Sequence, residues 1–478
     1  MNYKMIRYTI GWILIFEAAF FLLPTITAAI FRESAALLSF AGTILICLLA
    51  GVMLKARKPA EKTLRARDGF VLVAASWIFM SIFGALPFLF CGATNSFTDA
   101  FFESVSGFTT TGATIFGDVE SLPKSILLWR SFTHWIGGMG VLVFIMAFLP
   151  LSGGQNMHIM KAESPGPSVS KLVPRVRTTA ALLYAIYIAL TLVQIPLLLL
   201  GGMSFFDALN TAFSTAGTGG FGFRNDSMNS FSPYIQVVVT IFMLLFSINF
   251  GSYFLILRGK FKESLTEEVR TFFIIVLSAV ALITVSVYKS FNSVGEAIRH
   301  VFFTVASLIS TTGFSTVDFD LWPLFACTVL VLIMFIGACA GSTGGGMKVS
   351  RIMIIGKSIK KELTKAIYPK RTKKIYIDGR VQDDSVVQAV FGYLLCMIAV
   401  FVVSIFLLSI NGFDLVTNFT AVVATIGNVG PGLNGVGPTM NYAGFSIFSK
   451  FILIFDMLAG RLEFYPILLL MLPATWKK

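Results

Sequence analysis

Four short stretches rich in threonine and glycine recur along the chain, and each could bind a metal cation through its backbone. A glycine stands at the third position of every stretch. Carbonyl oxygens of extended backbone can replace the water shell of a cation, and glycine lets such strands crowd around one axis. The pattern therefore predicts a four-stranded carbonyl filter. Its candidate residues are Thr110, Thr111, Gly112, Thr218, Gly219, Gly220, Thr311, Thr312, Gly313, Thr425, Ile426, Gly427 and Asn428.

A titratable residue stands at the same sequence separation before each of the four glycines. Thirteen residues before them stand Asp99, Asp207, His300 and Asp414. A carboxylate at the start of a helix accepts backbone N–H groups and suits the positive end of the helix dipole. We therefore expect the three aspartates to cap helices rather than to bind ions.

A second set of acidic residues follows the first three glycines by five or six positions. These residues are Asp118, Asp226 and Asp318, with Asp320 beside the last. A ring of carboxylates at the outer mouth of a cation pathway raises the local cation concentration. Solvated loop carboxylates give the same pattern, so both interpretations stay open.

The composition of the whole chain is that of an integral membrane protein. Of 478 residues, 56% are hydrophobic and 13% are charged, against about 25% charged in a soluble domain. A soluble enzyme is excluded, because its core could not hide so much apolar surface. About 20 apolar residues span a bilayer. Ten stretches qualify, at 9–30, 35–54, 69–91, 127–150, 179–201, 233–257, 271–290, 322–340, 387–410 and 445–472.

Four shorter apolar stretches lie between these spans, at 97–110, 204–217, 297–310 and 414–425. Each is too short to cross the bilayer and too apolar for a free loop, so we expect a re-entrant half-helix in each place. The C-terminal end of a half-helix points a partial negative charge at a cation in mid-membrane. The chain thus repeats four times as helix, half-helix, glycine loop and helix.

This repetition predicts an all-α integral membrane fold, with two leading helices and four pseudo-repeats around one central pore. The predicted units are the leading helices (1–68), repeat one (69–160), repeat two (161–260), repeat three with a basic cytoplasmic segment (261–380) and repeat four (381–478). Placing the N-terminus inside puts most lysines and arginines, and the C-terminus, on the cytoplasmic side. The net charge of +13 follows from that topology, so nucleic-acid binding is not expected.

The four glycine stretches, in this order, resemble the filter loops of the Trk/Ktr/HKT superfamily of potassium transporters. Residues 129–140, 163–167 and 425–432 resemble further motifs of its Trk-type membrane subunit. The resemblance covers residues 69–478, and the two leading helices also fit the Trk branch.

The resemblance implies a potassium uptake channel or transporter in a prokaryotic inner membrane. Gly112 stands where glycine goes with potassium selectivity and serine with sodium in some plant members. The resemblance further implies a homodimer that assembles with a cytosolic TrkA-like nucleotide-binding subunit, with 161–177 and 348–380 as its contacts. K⁺ is then the transported ion only, and this chain binds no cofactor, so nucleotide control comes through the partner.

A glycine-rich loop interrupts the second span of the third repeat. Arg461 stands at a similar distance beyond Gly427, so both should lie beneath the filter. A charge inside a span costs about 2.5–3.5 kcal/mol or more, and Arg461 should therefore face a wet cavity or pair with Asp456 or Glu463. We hypothesise that Arg461 and the loop form a gate, as in the Trk family; a purely structural ion pair is the alternative. The loop comprises Gly341, Ser342, Thr343, Gly344, Gly345 and Gly346.

Two other function classes compete with a channel. A secondary transporter that couples the cation to a proton, sodium or another solute also uses broken helices, but it needs paired ionisable residues in mid-span, and Arg461 is nearly alone there. A membrane-embedded enzyme needs a catalytic cluster. The chain has three histidines and five scattered cysteines, without a nucleophile or metal motif, so we do not expect an enzyme.

Overall fold

The computed structural model describes residues 1–59, 64–140, 176–370 and 374–477, and it confirms a mostly helical membrane fold. The leading part forms the helices Tyr3–Phe20, Leu22–Ile30 and Ser34–Lys55. Tyr3–Ile30 together makes one apolar span and Ser34–Lys55 makes the next. Their packing holds repeat one in place, because the Glu33 carboxylate accepts the amide of Lys124 at 2.6 Å, at the start of a helix of that repeat.

Each of the four repeats then contributes a long first helix, a half-helix and a second helix. The first helices are Ala66–Phe90, Val176–Leu200, Glu267–Val287 and Asp384–Leu408. The half-helices are Phe97–Phe108, Phe205–Ala216, Val294–Ile309 and Leu415–Ile426. The second helices are Lys124–Gly138, Pro233–Ser247, Leu324–Ile336 and Ile447–Arg461. A helix lies at each of the four positions predicted for a half-helix, to within three residues at each end.

Shorter elements lie between and after these helices. They are the helices Phe250–Leu257, Phe261–Ser264, Val349–Ile367, Tyr465–Met471 and Pro473–Trp476, and the 3-10 turns Tyr288–Ser290, Phe319–Leu321, Ser409–Asn411 and Asn434–Val436. The strands Tyr376–Ile377 and Arg380–Val381 form a small antiparallel hairpin that the all-α prediction missed.

Six helices of the described residues are long and apolar enough to span a membrane, or seven if the pair Pro233–Ser247 and Phe250–Leu257, bent by 92°, counts as one span. The prediction of ten continuous spans is wrong for the second helices of repeats two, three and four, and residues 141–150 of the span predicted at 127–150 lie outside the described part of the chain. Each second helix is followed by backbone that leaves the helical region, at Gly140 (φ 81°), Ile248 (ψ 147°), Gly337 (φ 70°) and Glu463 (φ 56°). Hydropathy does not detect such breaks, because the flanking residues stay apolar.

The caps of the half-helices differ in part from the predicted ones. Ser96, Ser204 and Ser293 cap repeats one to three, and only Asp414 caps as expected. Asp99 and Asp207 lie in the first turn instead, where a carboxylate still suits the dipole, and Asp99 also pairs with Lys450.

His300 lies inside its half-helix rather than at the start. The half-helix of repeat three has 16 residues, against 12 in each of the other repeats. One additional helical turn therefore separates His300 from the capped end.

Candidate ion-binding site

Every half-helix ends in the same left-handed turn, which leads into the glycine. The residue after the C-cap has positive φ: Thr110 (56°), Thr218 (52°), Thr311 (63°) and Asn428 (53°). The next amide donates to a carbonyl five residues earlier, in the pairs Thr111–Ser106, Gly219–Ser214, Thr312–Ser307 and Val429–Ala424, at 2.8–3.0 Å. This is the Schellman helix end. Four copies of one turn therefore set a common register.

That register corrects the fourth stretch by three residues. Two positions after each left-handed residue stands a glycine of φ 77–96°, namely Gly112, Gly220, Gly313 and Gly430. Gly427 is instead the C-cap of its half-helix, with φ −75°. Thr425 and Ile426 belong to the last helical turn, so the predicted filter position of these three residues is wrong. Thr425, Ile426 and Gly427 resemble the other three stretches in residue type. The left-handed turn of the fourth repeat is nevertheless formed by Asn428 and Gly430.

The four glycines close a ring of backbone contacts. A Cβ atom on Gly112 would collide with the carbonyl oxygen of Gly219, one on Gly220 with that of Thr312, one on Gly313 with that of Val429, and one on Gly430 with that of Thr111. Each repeat therefore touches the next, and the fourth touches the first. The carbonyl groups of Thr111, Gly219, Thr312 and Val429 lie on this ring, which only glycine can line so closely.

A vestibule of about 120 Å³ opens onto the ring and is lined by residues of all four repeats, Gly112, Gly220, Gly313 and Gly430 among them. The described lining includes none of the predicted mouth acids. Asp118 accepts the Asn225 amide at 2.8 Å, which joins repeats one and two and lowers the pKa of Asp118. Asp226 is exposed, and Asp318 accepts the Thr439 hydroxyl at 3.4 Å. Two of these acids therefore bridge loops.

A buried ion pair that the residue pattern did not reveal supports the first two glycine loops. Arg130 Nε donates to Glu103 Oε1 at 2.8 Å, and neither side chain is more than 1% exposed. Glu103 also accepts the Ile115 amide, just after Gly112, and Arg130 donates to the Gly222 carbonyl at 2.9 Å. The sequence does hold one indication of this pair: Glu103 is a carboxylate inside an apolar half-helix, and a charge there needs a partner.

The glycine-rich loop 341–346 lies against residues that precede the ring glycines of repeats three and four. The Gly345 amide donates to Thr311 Oγ1 at 2.7 Å, and the Gly346 amide donates to the Gly427 carbonyl at 3.0 Å. On another side, Thr343 donates through its amide to the Phe246 carbonyl at 3.3 Å. The loop thus binds the ends of the half-helices of repeats three and four and the second helix of repeat two.

A second buried carboxylate holds both ends of the glycine-rich loop. Glu268 Oε1 accepts the Ala340 amide at 2.7 Å and the Ser350 amide at 3.1 Å. Lys348, buried and in the left-handed region at φ 80°, donates to the Gly344 carbonyl. These contacts fix the loop in its observed position through named polar groups.

Arg461 joins the glycine-rich loop to the first repeat. Its guanidinium donates to the Thr343 carbonyl at 2.9 Å and to the Gly137 and Gly138 carbonyls at 2.5 and 2.7 Å. The last two carbonyls end a helix, where the partial negative charge favours a cation.

The acids proposed as partners of Arg461 make other contacts. Asp456 accepts the Ser404 hydroxyl at 2.7 Å. Glu463 pairs with Arg351 at 2.5 Å.

The two predicted partner contacts differ in what the structure describes. Residues 161–175 of the 161–177 loop lie outside the described part of the chain. The segment 348–380 contains the helix Val349–Ile367, which continues directly from the glycine-rich loop, and then the hairpin. The helix carries exposed or half-exposed Lys357, Lys360, Lys361 and Lys365 on its surface.

Comparison with known proteins shows the family to which this chain belongs. The TrkH family, described as cation transport proteins, matches residues 37–478. The chain belongs to the TrkH family. It is therefore a multi-pass membrane protein of a transport family rather than an enzyme.

Among relatives of this TrkH-family chain, the Trk system potassium uptake proteins TrkH of Salmonella typhimurium and Escherichia coli K12 are 37% and 36% identical, over 100% of both chains. The crystal structure of the potassium transporter TrkH from Vibrio parahaemolyticus matches with a TM-score of 0.90, at 34% identity and over 100% of both chains.

The buried pair behind the first loops gives a testable prediction. Glu103→Gln should lower the free energy of unfolding by roughly 3–5 kcal/mol, because it leaves Arg130 buried without its counter-charge. Thermal unfolding of the detergent-solubilised protein measures the loss. The matched control is Glu263→Gln, which breaks the exposed pair with Lys260 and should cost about 0–1 kcal/mol. Equal losses in both variants would contradict a structural role for the Glu103 pair.

Proposed function

We propose that this TrkH-family chain is a potassium-selective uptake subunit and that potassium crosses it through the ring of backbone carbonyls. The observation that supports the proposal is the cyclic contact among the four glycine loops, in which the glycine of each repeat meets a carbonyl oxygen of another repeat. The names of the relatives, Trk system potassium uptake proteins, supply the ion. Gly112 at the first-repeat position supports the same choice.

The half-helices and the ring act together on the ion. Each half-helix directs its C-terminal end toward the ring, and the partial negative charges of the four ends favour a cation there. The carbonyls of Thr111, Gly219, Thr312 and Val429 replace water ligands, and the neighbouring carbonyls of Gly112, Gly220 and Gly313 extend the filter outward. The Gly430 carbonyl instead accepts the Tyr442 hydroxyl at 2.8 Å. Inward movement then follows the membrane potential, which contributes about 2.3 kcal/mol per charge per 100 mV.

The glycine-rich loop and Arg461 form the gate in this proposal. The loop lies directly beneath the ring, and the Arg461 guanidinium adds a fixed positive charge beside it. A permeating cation meets both a steric block and electrostatic repulsion. Opening requires that the Arg461 contacts to Thr343, Gly137 and Gly138 are released together.

Regulation would reach the gate from the cytoplasmic side. The basic helix Val349–Ile367 begins three residues after the loop and joins the Arg461 helix through the Arg351–Glu463 pair. A TrkA-like nucleotide-binding partner that docks on this helix could therefore move the loop. The proposal includes a homodimer in a prokaryotic inner membrane, with both termini cytoplasmic.

Cation-coupled symport is the competing mechanism. In purified protein reconstituted in liposomes, a channel gives a reversal potential that tracks the potassium gradient alone. A reversal potential that moves with an imposed proton or sodium gradient would establish symport instead, and no potassium flux at all would contradict both mechanisms.

Replacement of the first filter glycine should weaken ion discrimination. Gly112 has φ 79°, and a side chain there would push on the Gly219 carbonyl. In liposomes, Gly112→Ser should lower the potassium-to-sodium permeability ratio by about tenfold, or 1.4 kcal/mol. The control is Gly117→Ser, in the outer loop, where a Cβ meets only the Asn441 side chain at 3.5 Å. A ratio unchanged by Gly112→Ser would refute the filter.

Neutralisation of the gate arginine should increase basal transport. Arg461→Gln removes the fixed charge and the paired carbonyl contacts, so potassium flux in liposomes without any partner should increase by about tenfold, a 1.4 kcal/mol lower barrier. Arg461→Lys keeps the charge but loses the planar fork, and it should give an intermediate flux. Unchanged flux in Arg461→Gln, with an intact permeability ratio, would leave Arg461 without a gating role.

A further inference from the structure

The second repeat lacks the side chains that support the glycine loop in the other repeats. In repeat one the Thr109 and Thr111 hydroxyls bond each other at 2.8 Å, and in repeat three the Ser310 and Thr312 hydroxyls do so at 2.7 Å. In repeat four the fully buried Val429 fills the corresponding position. Repeat two has glycine at both positions, Gly217 and Gly219.

His134 of repeat one occupies that space. A Cβ atom on Gly219 would coincide with the imidazole ring of His134, nearest to Nδ1, and a Cβ on Gly217 would collide with the His134 carbonyl oxygen. The imidazole is fully buried and packs edge-on against Phe221, with 4.3 Å between ring centroids. A ring from the neighbouring second helix therefore stands where repeats one and three place their own side chains.

The backbone of Gly219 does not itself require glycine. Its neighbour Gly220 is left-handed at φ 77°, whereas Gly219 is outside the positive-φ region. The imidazole of His134 is the group that leaves no room for a side chain at this position. The two residues therefore form a complementary pair across the boundary between repeats one and two.

The nitrogens of the His134 ring have no hydrogen-bond partner among the described residues. A buried polar group without a partner destabilises the fold by about 1–3 kcal/mol. An apolar side chain of similar shape would therefore give a more stable fold. The contact between the His134 imidazole and Gly219 is a packing contact, so it depends on the shape of the imidazole and not on its nitrogens.

We propose that His134 is a positioning residue of the filter, which holds the Gly219 carbonyl on the ring and thereby sets the ion preference. The inference rests on the proposed potassium filter. Removal of the ring leaves a cavity behind Gly219, and the strand of repeat two can then move away from the axis. One carbonyl of four moves, which relaxes the fit to the ion without closing the path.

The test is the potassium-to-sodium permeability ratio of the reconstituted protein, measured from reversal potentials under bi-ionic conditions. His134→Ala should lower the ratio by about tenfold. His134→Phe keeps the ring without its nitrogens and should retain the ratio within about twofold, or 0.4 kcal/mol. Gly219→Thr alone should abolish flux by collision, and His134→Ala with Gly219→Thr should recover both flux and ratio.

The control is Thr191→Val, which breaks the hydrogen bond to the adjacent Trp135 and should leave the ratio unchanged. A wild-type ratio in His134→Ala, or no recovery in the double variant while His134→Ala itself conducts, would overturn the role of His134 alone. A wild-type protein that passes potassium and sodium equally would contradict the proposed function, and the role of His134 with it. Melting temperatures of all variants identify any that fail to fold.

Discussion

The close approach of four glycine backbones to four carbonyl oxygens is the constraint on which the rest of this structure depends. Each of the glycines 112, 220, 313 and 430 faces an oxygen of the next repeat, at a distance that excludes any Cβ atom. The half-helices must therefore end at one depth and in one turn, and the same Schellman ending in all four repeats satisfies that demand. Irregular backbone can exist at this depth because it is enclosed by protein.

The second helices and the segments that follow them also contact the residues around this ring. In repeats two, three and four this helix is interrupted, and in repeat three the interruption is the glycine-rich loop, whose amides donate to Thr311 and to the Gly427 carbonyl. Arg461 ends another second helix and reaches two carbonyls at the end of a third. Backbone groups freed at one helix end, which would be costly in lipid, are thus hydrogen-bonded by groups at another helix end. The same contacts connect repeat four with repeats one and three.

Charged groups inside the molecule follow one rule. Glu103 and Arg130 neutralise each other, Arg351 pairs with Glu463, Glu268 accepts loop amides, and Arg461 donates to carbonyls. An ionised group in an apolar surround needs such partners. The Arg351–Glu463 pair and the Arg461 contacts join different repeats, whereas Glu103 with Arg130, and Glu268 with its amides, lie within one repeat. In both cases the contact fixes the position of a loop next to the ring. His134 contacts its neighbouring loop through packing rather than charge, since its imidazole fills the space beside Gly217 and Gly219.

Sequence alone determined the membrane class, the positions of the four short helices and three of the four glycines of the ring, because hydropathy, length and left-handed glycine are local properties. Tertiary structure decided the rest. The fourth glycine is Gly430 rather than Gly427, the second helices of repeats two, three and four are broken, two of the mouth acids bridge loops, and Arg461 binds carbonyls. The contacts of the mouth acids and of Arg461 depend on which repeat packs against which, and residues such as Arg461 and Gly137 are far apart along the chain, so no local pattern encodes these contacts.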